Sequence, residues 1–396
     1  MRLPDWFRER VDPLPPESEL RVSTLELFFD LVFVFTVTQL TNLLADGVQR
    51  GRPLEGALRV LVVFGVIWWM YAGYAWLTNA VSPVRPARRV LMLLGMAGFL
   101  IVALSIPSVF DGDGLAFAIG YLLLIVVHAG LYAQATSAIA RVIPFNLGAV
   151  ALVGVASLLR EPYNYLLWAA ATVLLWGSPY FIGQRGFALR PAHVVERHGL
   201  LVIVVLGESI VAIGIGVQGL HLGLELGLAA VLGLTLAACL WWLYFGGDDE
   251  VRAEHALGRA EPVRRTRLIL GAYFYAHIPM LLGIVAVATG IKKLIGHPGD
   301  PLKLAAAVTL AAGVALFLAG NAWFRGVLGI QDNRLRIAGA LLSAVTIPFA
   351  LWSGLAQLVA LVALVTAVVV LERRRDRERT AGPSVDGRTG ELLADG

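Results

Sequence analysis

Polar punctuation divides the chain into apolar runs at 25–45, 55–78, 88–107, 115–139, 144–160 and 162–182 in its first half, and at 198–217, 222–245, 267–290, 303–324, 336–352 and 354–371 in its second. Most approach the roughly 20 residues that carry a helix across about 30 Å of hydrocarbon. Lipid offers a backbone no hydrogen-bond partner, so each spanning segment must be a helix or a strand of a closed barrel. Runs this long, rich in Leu, Val, Ala and Gly rather than alternating, predict helices. The pattern predicts an all-α integral membrane protein with about twelve transmembrane helices. The run starting at Pro144 is the shortest, and only Ser353 and Gly354 part the last two.

Composition agrees, since 58% of residues are hydrophobic, 15% are charged and the mean hydropathy is +0.75. The formal charge of +4 does not point to nucleic acid, because the basic residues sit between apolar runs and form no single stripe. They report topology instead. The termini and even-numbered loops carry 25 Lys and Arg against 7 in the odd-numbered loops, which predicts that both termini are cytoplasmic in a bacterial-type inner membrane. Lys292, Lys293 and Lys303 run against this bias. Residues 1–24 mix both signs of charge with four prolines and lack the apolar core of a signal peptide, so the first run is expected to be retained. The lone cysteine, Cys239, excludes an intramolecular disulfide.

Three landmarks recur in order. Glu26 and Leu31-Val32-Phe33-Val34-Phe35 match Glu196 and Leu201-Val202-Ile203-Val204-Val205, Trp68-Trp69-Met70-Tyr71 matches Trp241-Trp242-Leu243-Tyr244, and Arg88-Arg89 matches Arg264-Arg265. Offsets of 170, 173 and 176 residues predict two parallel six-helix repeats, 25–182 and 183–371, after a cytoplasmic segment 1–24 and before a disordered charged tail 372–396.

Ionisable side chains at depth cost roughly 2.5–3.5 kcal/mol each, so they are the first candidates for function. Glu26 and Asp30 are four residues apart and share one face of the first helix, with Thr36, Thr38 and Gln39 beyond them. A competing reading places both carboxylates in interfacial first turns, favoured by the helix dipole. Glu208, near the middle of the seventh run and beside Ser209, has no such excuse; a carboxylate there needs a proton or a neighbouring cation, as a proton or cation site requires. His128, His277 and Asn321 are also deep, and with Glu208 could form a relay or line an aqueous path. Pro279 predicts a kink beside His277. His193, Glu196 and His198 lack the spacing of a zinc-protease helix and read as a cytoplasmic cap in which Glu196 and Arg197 form ion pairs. Asp248, Asp249 and Glu250 read as an acidic turn. No metal site, cofactor, phosphate-binding loop or nucleophile elbow is expected.

From Leu25-Glu26-Leu27-Phe28-Phe29-Asp30 through Phe35, and again at His198-Gly199-Leu200-Leu201 through Leu206-Gly207-Glu208-Ser209-Ile210, the chain resembles the bacterial low temperature requirement A (LtrA) family over nearly its whole length. Trp241-Trp242-Leu243-Tyr244-Phe245 fits the same pattern. The resemblance implies a multi-pass membrane protein. More distantly, the first run resembles the first helix of lysosomal-type potassium channels built from six-helix repeats, whose motif is Arg-x-x-x-Phe-Ser-Asp. Phe28 and Asp30 keep two positions, while Phe29 replaces the Ser and Thr24 stands at the Arg position.

Together these features predict a transporter or channel for a small ion or solute, cation or proton favoured, with Asp30, Glu208, His128, His277, Glu26, Ser209 and Asn321 on the pathway. The expected partners are the bilayer, the transported ion or solute and, by the channel resemblance, a second copy in a homodimer. The alternatives are a non-conducting sensor or scaffold in cold adaptation, and an intramembrane lipid-modifying enzyme using His193, Glu196 and His198.

Overall fold

The computed structural model describes residues 21–380 apart from 82, 84, 184–186, 188, 222 and 331. Expectations for 1–20 and 381–396 lie outside the described residues. Among those described there are helices and no strand.

Helix α1 (Thr24–Gln49) begins where Ser23 adopts extended backbone and caps the first turn. The Glu26 N–H donates to the Ser23 hydroxyl, and the Glu26 carboxylate accepts from the Ser23 N–H and hydroxyl. This reciprocal cap satisfies orphan donors that lipid cannot. Proline in the first turn, harmless where no helical N–H is needed, opens α2 (Pro53–Ala80) and α3 (Pro86–Ser105). The first half is completed by α4 (Gly114–Tyr132), α5 (Ile143–Ala156) and α6 (Tyr163–Ile182).

The second half contains α7 (Pro191–Gly216), α8 (Leu224–Phe245) and a short surface helix, α9 (Asp249–Arg259). Helix α10 (Pro262–Ile269) runs through a π turn at Leu270–Tyr275 into α11 (His277–Ile295). Next come α12 (Leu304–Val327), α13 (Arg334–Leu342), which tightens into a 3-10 segment at Ser343–Leu351, and α14 (Gly354–Thr380).

Eleven of these helical segments are long and apolar enough to cross a membrane. The exception is α5, which at about 1.5 Å per residue falls short of the hydrocarbon thickness. It nevertheless joins the same two ends of the bundle. Arg141, before it, donates to the Ile182 carbonyl at 3.0 Å. Beyond its other end, the Ser157 side chain lies against Gly114, where an added Cβ would come within 2.7 Å. Outward faces carry exposed apolar side chains such as Ile119, Val126, Val173, Val231 and Leu234, which match lipid chains rather than water.

Three expectations are corrected. Helix α7 begins at Pro191 rather than near 198, so His193, Glu196, Arg197 and His198 occupy its first turns. The acidic stretch after Gly247 is the start of α9, whose Ala253 and Leu257 are buried against the bundle. The expected tail is helical through Thr380, because Glu372 is drawn into ion pairs with Arg325 and Arg336. A π turn at Leu270–Tyr275 ends just before His277, two residues ahead of Pro279.

Within the first half α1 packs on α2 and α3, α2 on α4 and α6, α3 on α4, α4 on α5 and α5 on α6. The second half has the counterpart of every pair: α7 on α8 and α11, α8 on α12 and α14, α11 on α12, α12 on α13 and α13 on α14. Helices α11 and α12 meet backbone to backbone, since a Cβ on Gly313 would come within 2.6 Å of the Val287 nitrogen and one on Gly283 within 2.7 Å of the Gly313 carbonyl oxygen. The halves join through α1 against α7 and α11, and α2 against α7.

Candidate functional site

The α1–α7 junction holds a buried polar cluster. Arg197, 1% exposed, places Nη2 2.8 Å from Asp30 Oδ1 and Nη1 3.8 Å from Glu26 Oε2. The Tyr71 hydroxyl of α2 donates to the same Asp30 oxygen at 2.8 Å, and the guanidinium lies over the Phe29 and Tyr71 rings. Asp30 Oδ2 is buried without a hydrogen bond. Glu26 works on two sides at once, its Oε1 in the Ser23 cap and its Oε2 3.0 Å from His193 Nε2. The interfacial cap and the paired carboxylate are therefore both present in one residue.

Asn79 links the start of α7 to His193. Its Oδ1 accepts from the Arg190 N–H at 2.9 Å and its Nδ2 donates to the Arg190 carbonyl at 3.1 Å, so the backbone fixes the amide's orientation. The same Nδ2 lies 3.3 Å from His193 Nδ1.

Further along α1 the Thr38 hydroxyl donates to Glu208 Oε2 at 2.6 Å, and Lys292 lies within electrostatic reach of this carboxylate. The Thr289 hydroxyl donates to the Thr41 carbonyl at 3.3 Å, and the Lys292 and Lys293 ammonium groups each donate at 2.8 Å, to Asn42 and Gln49. One side of α1 thus carries polar contacts from Glu26 to Gln49, answered by α7 and then α11. Between Asp30 and Thr38, about 12 Å along the helix, the seam is closed by Phe33, Val37, Leu201 and Val205, all buried.

Of the residues expected on a pathway, Glu26, Asp30 and Glu208 share this seam. Ser209 is fully buried beside Glu208 and its hydroxyl has no hydrogen bond. The others lie elsewhere. His128 Nε2 meets the Gly73 carbonyl at 3.0 Å between α4 and α2. His277 bonds Tyr244 at 3.0 Å and the Ala272 carbonyl at 2.8 Å. Asn321 directs its amide at the Met280 sulfur at 3.8 Å. The two histidines do not meet Glu208; each ring is turned to nearby backbone or ring partners instead. Nor do His193, Glu196 and His198 converge. Glu196 accepts from the Val22 N–H, and His198 turns to the Val194 carbonyl and the His277 ring, so Arg197 pairs with α1 and not with Glu196.

Sequence reasoning missed a second buried ionic cluster. Arg336 grips Glu372 through Nε and Nη2, both at 2.9 Å, and Arg325 lies 3.4 Å from both Asp249 and Glu372. It ties α9 to α12, α13 and α14. Its basic members read as ordinary loop charges, since nothing local distinguishes them.

The model of the family described as bacterial low temperature requirement A protein (LtrA) matches residues 21–372, which contain both clusters and the whole α1 seam. The chain belongs to the LtrA family. An uncharacterized protein of Rhizobium meliloti (strain 1021) is similar to this LtrA-family chain, 29% identical over 331 residues that cover 78% of each sequence. No solved structure matches.

Proposed function

We propose that this LtrA-family membrane protein moves a small cation, the proton foremost, along the seam between α1 and its neighbours α7 and α11. The observation that carries the reading is the line of polar side chains on one side of α1, from Glu26 through Asp30 and Thr38 to Gln49. Packing alone would be served by Leu and Val there, without the cost of ionisable groups at depth. Glu208, whose short contact is a hydroxyl, is the next acidic station. The apolar closure at Phe33, Val37, Leu201 and Val205 separates the two stations, so passage requires α1 and α7 to shift against each other, as in alternating access.

Two parallel six-helix repeats accord with this mechanism. Their support is the shared neighbour pattern of the halves and the contact of Thr38 with Glu208, which stand at the same offset of 170 residues as Glu26 and Glu196. Positions on a two-fold axis along the membrane normal touch their own counterparts. We assign the end carrying Ser23 and Glu372 to the cytoplasmic side of the inner membrane from the Lys and Arg bias. The tight apolar closure also favours a second reading, a non-conducting sensor.

Flux in liposomes containing purified protein tests the proposal, with potassium, sodium and proton gradients applied to wild type, Asp30→Asn and Glu208→Gln. The expected result is selective flux that each substitution lowers at least about tenfold. No flux under any gradient from folded protein, or flux untouched by both substitutions, overturns it; the first outcome leaves the sensor.

A further inference from the structure

A cavity of about 90 Å³ lies away from the seam, lined by α2, α4, α5, α6, the second half of α10 and the π turn that follows it. Its wall is almost entirely carbon and includes the rings of Trp69, Trp76, Tyr132 and Phe274; no charged side chain lines it among the described residues. Exposed Gly183, just past the last turn of α6, marks its mouth. Polar side chains on this wall include His128 and Asn146. His128 is 3% exposed, spends Nε2 on the Gly73 carbonyl, and leaves Nδ1 buried without a partner. With Nε2 the donor to that carbonyl, Nδ1 is an acceptor. Asn146, 1% exposed, accepts from the Trp69 N–H at 2.7 Å, while its amide NH2 makes no hydrogen bond among the described residues.

We propose that this cavity binds a small, neutral, single-ring molecule with one hydroxyl or N–H group, packed among the aromatic rings. The ligand's O–H or N–H donates to His128 Nδ1, and its heteroatom accepts from the Asn146 amide. Neutrality follows from the uncharged wall, and the aromatic lining selects a flat ring. A ring too large for full enclosure projects toward Gly183. The site is independent of the α1 seam and stands or falls separately from transport.

The test is a fluorine NMR titration of the full chain in lipid nanodiscs with 4-fluorophenol, using empty nanodiscs to subtract partition into lipid. Fluorobenzene serves as the probe without the hydroxyl. Saturable binding of 4-fluorophenol is expected, weakened about fivefold or more in fluorobenzene, in Asn146→Ala and in His128→Phe, the worth of one neutral hydrogen bond. Val142→Trp, which fills the cavity from its lining, should abolish it. Absence of saturable binding, binding that survives Val142→Trp, or equal affinity for fluorobenzene would overturn the proposal, the last making the cavity a seat for acyl chains. Asn146→Ala keeps the test decisive if the histidine variant fails to fold.

Discussion

Replacing Arg197 with methionine removes a charge but keeps an unbranched apolar stem in a site only 1% exposed. The change leaves Asp30 and Glu26 as buried carboxylates, the former having lost a partner at 2.8 Å and the latter one at 3.8 Å. Breaking a buried ion pair from one side costs about 3–5 kcal/mol, most of it the penalty on the charge left behind. Asp30→Asn keeps the shape and still accepts from Tyr71, so its cost should be nearer about 1–3 kcal/mol. If the two groups act as a pair, the double variant should fall short of the summed single costs by at least about 1 kcal/mol. Equilibrium unfolding in mixed micelles of dodecyl sulfate and a mild detergent, followed by tryptophan fluorescence, measures all four corners of the cycle. A cost below about 1 kcal/mol for Arg197→Met, or additivity within about 0.5 kcal/mol, would refute the pairing.

Three other outcomes follow from the same geometry. Truncation after Leu371 removes Glu372 from Arg325 and Arg336 and should lower the yield of monodisperse protein in size-exclusion chromatography severalfold, whereas truncation after Thr380 should leave it unchanged. Gly313→Val puts a side chain where a Cβ already comes within 2.6 Å of backbone nitrogen, and should cost at least about 1–3 kcal/mol in the same micelle titration. Asn79→Ala strips two hydrogen bonds from the Arg190 backbone and one contact from His193; a loss of about 2–3 kcal/mol is expected, and a neutral result would contradict the assigned amide orientation.

The helical class was legible because lipid reduces the choice of backbone to helix or barrel, and long apolar runs decide between them. Boundaries were less so. His193 through His198 read as a loop because four titratable residues in a short stretch resemble a surface, yet three of them are buried on α7. Their burial depends on Glu26, Asp30 and Asn79, residues more than a hundred positions away, and no local pattern encodes such a match. Asp30 and Glu208 were visible as charges at depth, and so were the two histidines. Sequence could not tell which of these shared a seam, since polarity at depth records a cost without naming the partner that offsets it. Glu372 failed as a tail residue for the same reason. Its charged neighbours suggested solvent, and only α12 and α13 supply the arginines that hold it.

The grip of Asn79 on Arg190 has a mechanical consequence. One amide clasps both the N–H and the carbonyl of the residue that opens α7, so the start of α7 is pinned to the last turn of α2. A pin resists sliding and permits rotation. If the halves rearrange during a working cycle, α7 should swing about its Arg190 end, and the largest displacement should fall at its far end, near Gly216, where it packs beside Ile295 of α11.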